Sequence, residues 1–296
     1  MEPYITAYEY EKNVNPPLKG VSICEKNANE CEYGITHIDL SENYNVDYKA
    51  TSPNLLASFV KIKKGEDFSL DGEIMNATSN FFFVIEGQCD IWIDSNVYEL
   101  YQGDVFITPC IDVILLQNNA DSDVVLYYIN DSPLMNYTGS RPTKKIFQSA
   151  IYSKEFILLK MQELANPNNN RKGILLSNTD TEKLGVNTIT PILWSLYNEL
   201  PPKTNQRPHK HNSVALDLCI ASEDPSNIYT LIGTDLDDQN KIIDPIKVFW
   251  KPSGMFVTPP GLWHSHHNEG ETYAYILPIQ DAGLLLYQRI LGIVLT

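Results

Sequence analysis

The chain has 296 residues, a net charge of −15, with 22 basic against 37 acidic side chains, and 43% hydrophobic residues. That length suits two ordinary domains, each able to bury a core, while the acidic balance argues against nucleic acid, whose phosphates it would repel. No apolar run is long enough to cross a bilayer, and Met1-Glu2-Pro3-Tyr4-Ile5 lacks the basic start and apolar stretch of a secretory signal, so no membrane association and a cytoplasmic protein are expected.

The five cysteines, Cys24, Cys31, Cys89, Cys110 and Cys219, are odd in number and form no C-x-x-C pair, which reads as reduced thiols. Residues 1–50 are rich in Tyr and Asn and show little periodicity, as expected of an arm that packs across a neighbouring body; His37 within it reads as structural. From residue 51 to 140, short alternating runs at 81–85, 91–93, 98–100, 105–107, 113–116 and 124–129 are separated by Gly87, Asp94-Ser95-Asn96, Gln102-Gly103-Asp104 and Asn118-Asn119-Ala120-Asp121. Evenly spaced strands and turns of this kind predict a small antiparallel barrel. The linker, residues 141–173, opens on the turn material Gly139-Ser140-Arg141-Pro142 that straddles its start and contains Asn166-Pro167-Asn168-Asn169-Asn170, with a short helix expected over 153–164. Residues 174–296 repeat the strand pattern, giving an all-β chain of two tandem barrels with a few short helices.

Five of the six histidines fall in two short pieces, Arg207-Pro208-His209-Lys210-His211 and Trp263-His264-Ser265-His266-His267-Asn268. On a strand, the period of two puts His209 and His211 on one face. Pro259-x-Gly261-x-x-His264-x-x-x-Asn268 supplies a tight turn and then a third imidazole, so that His209, His211 and His264 are candidate ligands of one divalent transition metal.

The order His-x-His, a β-rich gap, then Pro-x-Gly-x-x-His-x-x-x-Asn resembles the two motifs of the cupin barrel, a double-stranded β-helix or jelly roll, and the chain resembles a bicupin. Aligned on that pattern, the first barrel has Ile74, Asn76 and Asn80 in the places of His, His and Glu, and Ile114 in the place of the second-motif histidine, though Asn118 stands where the family has asparagine. Neither Ile nor a neutral amide holds a divalent metal well, so the first barrel is expected to carry none. In the second barrel the usual carboxylate ligand is also missing: Ala215 and Leu216 occupy its places.

Three neutral ligands leave the metal's double charge uncompensated, which favours an anionic substrate that binds directly, with room for dioxygen. Arg207-Pro208-His209-Lys210-His211 followed by Ala215-Leu216, and Trp263-His264-Ser265-His266-His267-Asn268-Glu269, are similar to segments of the gentisate and salicylate dioxygenases. That resemblance implies a non-haem Fe(II) oxidoreductase that cleaves a small aromatic hydroxybenzoate with O2, working as a homodimer; manganese, nickel and zinc stay open as other metals. It also implies His266 beside the substrate. Arg207 is a candidate for the substrate carboxylate, Trp194 and Trp263 for the walls of an aromatic pocket, and Asp281 for a polar substrate contact, with Gln280 competing for that place. Two other readings share the same ligands: a non-catalytic metal- or ligand-binding bicupin, and an O2-independent metal-dependent isomerase or lyase. His267 alternates away from His264 and His266 and is expected to be exposed.

Overall fold

The computed structural model describes residues 4–166 and 168–296. The first barrel is a six-stranded sheet in the order Ala150–Tyr152, Val105–Pro109, Ser79–Glu86, Val124–Asn130, Leu56–Ile62, Gly34–His37, facing a four-stranded sheet in the order Asp67–Leu70, Ile114–Gln117, Gln88–Ile93, Asn96–Tyr101. The second barrel repeats this plan. Its six-stranded sheet runs Glu25–Asn27, Gly254–Thr258, Ala215–Ala221, Ala274–Gln280, Trp194–Leu200, Lys172–Leu176, and its facing sheet runs Ile246–Phe249, Ile228–Gly233, Trp263–Asn268, His209–His211, Ile293–Leu295. This is the tandem jelly roll that the spacing of turns predicts. Among the described residues no helix is long and apolar enough to cross a membrane.

The two six-stranded sheets pack back to back, and that explains why central strands such as Val124–Asn130 and Leu56–Ile62 are apolar on both faces. Phe81, Phe83, Tyr127, Ile129 and Phe59 point out of the first barrel and meet Leu216, Leu218, Met255, Val257, Leu277 and Ile279 of the second in one core. The alternate residues Phe82, Val84, Leu126, Tyr128 and Val60 fill the inside of the first barrel. Inside the second barrel Cys219, Phe256 and Ile276 pack with Ile228, Ile232 and Val248 of the facing sheet and with Trp250 just beyond it.

Segments on either side of the first barrel contribute to both. Gly34–His37 pairs with Leu56–Ile62, whereas Glu25–Asn27 pairs with Gly254–Thr258 of the second barrel, where Asn27 Nδ2 also donates to the Pro252 carbonyl at 3.0 Å. Ala150–Tyr152 completes the first large sheet and Lys172–Leu176 the second. Between them the helix Lys154–Leu164 is capped by Ser153, whose hydroxyl accepts from Phe156 N, and it buries Ile157 and Met161 in the shared core. His37 is satisfied by Ser58, its Nδ1 lying 2.8 Å from Oγ. All five cysteines are free thiols.

Candidate metal centre

The strand His209–His211 is three residues long. Alternation turns both imidazoles inward and Lys210 outward, where its ammonium lies 4.6 Å from the centre of the Trp263 ring. His209 stands in register with His264 on the neighbouring strand, and their ring centroids are 4.0 Å apart; His211 and His264 are 4.8 Å apart. One ligand atom from each of His209, His211 and His264 lies within 4.8 Å of the other two.

The protonation of this trio suits a metal. His211 Nδ1 lies 2.9 Å from the Ser213 carbonyl, and His264 Nδ1 3.1 Å from the Leu262 carbonyl. A carbonyl only accepts, so the hydrogen of each ring sits on Nδ1 and the Nε2 lone pair is bare. His209 Nδ1 is buried without any hydrogen-bond partner, which is costly unless something outside the chain binds the ring. Burial, first, pushes all three imidazoles below their ordinary pKa, and for His209 and His264 the neighbouring histidines add to it. Three neutral, convergent nitrogen donors are what a divalent transition metal takes.

His266 sits one inward step further along, its ring 6.0 Å from that of His264 and 6.2 Å from that of His209. Its Nδ1 is 2.8 Å from Thr230 Oγ1, which in turn accepts from Trp250 Nε1 at 2.8 Å. Indole can only donate, and Thr230 has no other acceptor among the described residues, so its hydroxyl proton goes to His266 Nδ1. The remaining N–H of His266 is therefore on Nε2. Burial holds this ring neutral, its pKa lowered to about 3, with His267 and Arg171 nearby acting in the same direction.

Arg171 is the residue that sequence reasoning missed. It is half-buried, and its positive charge depresses the pKa of His209, His264 and His266. Its Nη2 donates to the Arg207 carbonyl at 2.5 Å, and its buried Nε has no partner. The chain has four arginines, and scarcity in the turn before a barrel strand was the only available signal. Arg207 itself has an exposed side chain; its backbone does the work, accepting from Arg171 and donating to Asn170 Oδ1 at 2.7 Å.

The other candidates divide. Trp194 is half-buried on the inward side of its strand, in register with Gln280. Trp263 lies on the outer side beneath Lys210. Both carboxylate oxygens of Asp281 are held by the protein, one by Val214 N at 2.9 Å and one by Asn54 Nδ2 at 2.7 Å, while Gln280 Oε1 accepts from Ser213 Oγ, which also touches His211 Nδ1. His267 is half-buried rather than exposed, because its ring stacks on Tyr229 at 5.0 Å and its Nε2 meets Ser265 Oγ at 2.7 Å.

No family model matches the sequence, and no curated protein is detectably similar to it. Solved structures are similar in fold. A mutant of the salicylate 1,2-dioxygenase from Pseudoaminobacter salicylatoxidans superposes with a TM-score of 0.71 at 13% identity, covering 100% of this chain and 93% of that one; its relative with bound gentisate gives 0.71 at 13% identity over 96% and 88%. The chain has the bicupin fold. A mutant oxalate decarboxylase from Bacillus subtilis, at 12% identity, covers 87% of this bicupin and 76% of its own length with a TM-score of 0.56.

Within the bicupin the first barrel is closed to this chemistry. Ile114, which occupies the place of His264, is fully buried in the barrel's apolar core, and Ile74 packs against it. Asn76 turns away to Asn136 Oδ1 and the Ser140 carbonyl. Asn80 is tied to the Pro109 carbonyl and to the Tyr128 hydroxyl.

Proposed function

We propose that this bicupin is a non-haem Fe(II)-dependent dioxygenase that acts on a small, chelating aromatic carboxylate of the hydroxybenzoate class. The observation that carries the reading is the convergence of three neutral imidazoles with one guanidinium and no carboxylate ligand. Iron bound by His209, His211 and His264 would supply coordination positions for the substrate's anionic oxygens and for dioxygen. The chain's own contribution is charge and position. Arg171, whose charge reaches His209, His264 and His266 and whose buried Nε has no partner, suits a substrate carboxylate, and the Nε2–H of His266 suits a hydrogen bond to an anionic substrate oxygen. Trp194 lines the inward side of the large sheet at the same end.

The likeness to salicylate dioxygenase supports the substrate class by analogy of fold, and the residues above supply the chemistry. The test is metal content after anaerobic purification, read together with oxygen uptake against a panel of hydroxybenzoates: iron at one per chain and uptake with at least one member are expected, and a metal-loaded chain that consumes no oxygen with any of them sinks the reading. We also assign this bicupin a homodimeric working form, supported by the exposed apolar side chains of its arm, where Tyr4, Ile5 and Leu18 are 98%, 83% and 84% exposed. Light scattering that gives a monomer at working concentration would overturn that assignment.

A further inference from the structure

The interiors of the two barrels also differ at position 217, away from the histidine cluster. Asp217 stands opposite Phe256 and Pro278 in the second large sheet, as Phe82 stands opposite Phe106 and Tyr128 in the first. Phe82 stacks on Tyr128 with ring centroids 4.5 Å apart and fills its barrel. Asp217 puts a carboxyl in the same place. It is 2% exposed, and its Oδ2 accepts from Thr258 Oγ1 at 2.6 Å. A buried carboxyl is a cost, and the sister barrel shows that an aromatic ring fits there instead.

Its location says what the group is for. Leu216 and Leu218 join the core between the barrels, so Ala215, Asp217 and Cys219 face inward. Ala215 lies in register between Thr258 and Gln280, and Gln280 reaches the metal strand through Ser213 and His211. Asp217 is one inward position deeper, about 7 Å along the strand, a distance comparable to one substituted benzene ring.

We infer that Asp217, oriented by Thr258, is a specificity-determining residue that hydrogen-bonds a hydroxyl or amino group on the substrate end remote from the histidine cluster. The inference rests on the reading of the site as one for small aromatic anions. It makes the second barrel selective for ring-hydroxylated or aminated substrates over their unsubstituted parents, because a site with a buried polar group discriminates against a ligand that leaves it unpaired.

The experiment is calorimetric titration of the iron-loaded full chain, kept anaerobic, with salicylate, gentisate and 5-aminosalicylate. The wild type is expected to bind at least one of the two substituted compounds about tenfold or more tightly than salicylate. Asp217→Leu is expected to bring that ratio close to one without weakening salicylate, Thr258→Val to lower it in part, and Asp217→Asn, which keeps a hydrogen-bonding end, to retain most of it. Thermal unfolding reports the state of each variant, and Thr258→Val decides the matter if Asp217→Leu does not fold. A wild-type ratio near one, or a ratio that survives both Asp217→Leu and Thr258→Val, overturns the inference while leaving the substrate class intact. Failure of the wild type to bind all three compounds removes the parent reading and this one with it.

Discussion

Asn118 and Asn268 make the same three hydrogen bonds in the two barrels. Asn118 Nδ2 donates to the carbonyls of Ile62 and Ser122, and its Oδ1 accepts from Ala120 N; Asn268 Nδ2 donates to Leu200 and Thr272, and its Oδ1 accepts from Gly270 N. The partners are equivalent, a carbonyl from the adjacent large sheet and two groups of the same turn. This asparagine therefore locks a turn in each barrel, whether or not that barrel holds a metal. We expect Asn118→Ala and Asn268→Ala each to lower stability, on the order of 3 kcal/mol, because buried carbonyls lose their donor. Denaturant melts of both variants check this, and a neutral effect at either site would refute the shared role.

The metal trio makes a direct prediction about stoichiometry. His209→Ala and His264→Ala should each lose bound metal while far-ultraviolet circular dichroism stays that of the wild type, since the first barrel offers Ile74 and Ile114 instead of ligands. Elemental analysis decides: metal held at one per chain by the double variant would place the site elsewhere.

His266 and its neighbour separate chemistry from structure. His266→Ala should keep iron and lose turnover by a factor of about 10² to 10³, the usual contribution of one positioned hydrogen-bond donor to a developing oxyanion. His267→Ala, which removes a ring stacked on Tyr229 and bonded to Ser265 outside the histidine cluster, should keep turnover close to wild type. Steady-state oxygen uptake at matched iron content measures both, and wild-type rates for His266→Ala would leave that residue a purely structural role.

Asp217 also makes stability depend on pH. Burial lifts its pKa from 3.8 to about 7, against the smaller opposing effect of the Thr258 hydrogen bond. Between those two values the folded chain holds a proton that the unfolded chain has released, so the contribution of Asp217 to stability is greatest below pH 3.8 and falls as pH rises to about 7. This one group contributes a fall of about 1.4 kcal/mol per pH unit over that window. Asp217→Asn removes it, so the variant's melting temperature should gain on the wild type as pH rises from 4 towards 7. Parallel curves for the two proteins would show that the carboxyl does not titrate in this range.

A fragment of residues 141–296 keeps every histidine of the site and loses what covers its large sheet. Leu216, Leu218, Met255, Val257, Leu277 and Ile279 would face water without the first barrel, and Gly254–Thr258 would lose its partner Glu25–Asn27. We expect poorly soluble material, scored by gel filtration and melting. A stable fragment with full metal content would contradict the supporting role of the first barrel.

Much of this was legible because it repeats with a short period. Alternation alone puts His209, His211, His264 and His266 on inner faces, and turn residues mark nearly every strand boundary of the first barrel. Even there the code is not strict: Gly103 adopts φ 95° at a turn where the second barrel uses Ser253 at φ 62°, so a search for glycine finds one and misses the other. What escaped is held by contacts distant in sequence. Glu25–Asn27 is three polar residues without alternation, and only the edge of Gly254–Thr258 makes them a strand. Arg171 joins the site from a connecting segment, and the rank of Arg207 changes once its side chain is seen in solvent. Asp281 and Trp263 carry suitable chemistry on unsuitable vectors, which composition cannot reveal.

The pairing of Glu25–Asn27 with the second barrel bears on how the chain is made. Asn27 and Pro252 are joined across 225 residues, so the early strand has emerged from the ribosome long before its partner exists. At synthesis rates of about 5–20 residues per second it waits for on the order of ten seconds or more. The first barrel is free to close in that interval, yet the second stays short of an edge strand until the whole sequence is available, and such late, distant contacts are slow to form. Chains interrupted before residue 254 would leave Glu25–Asn27 without the strand edge it pairs with.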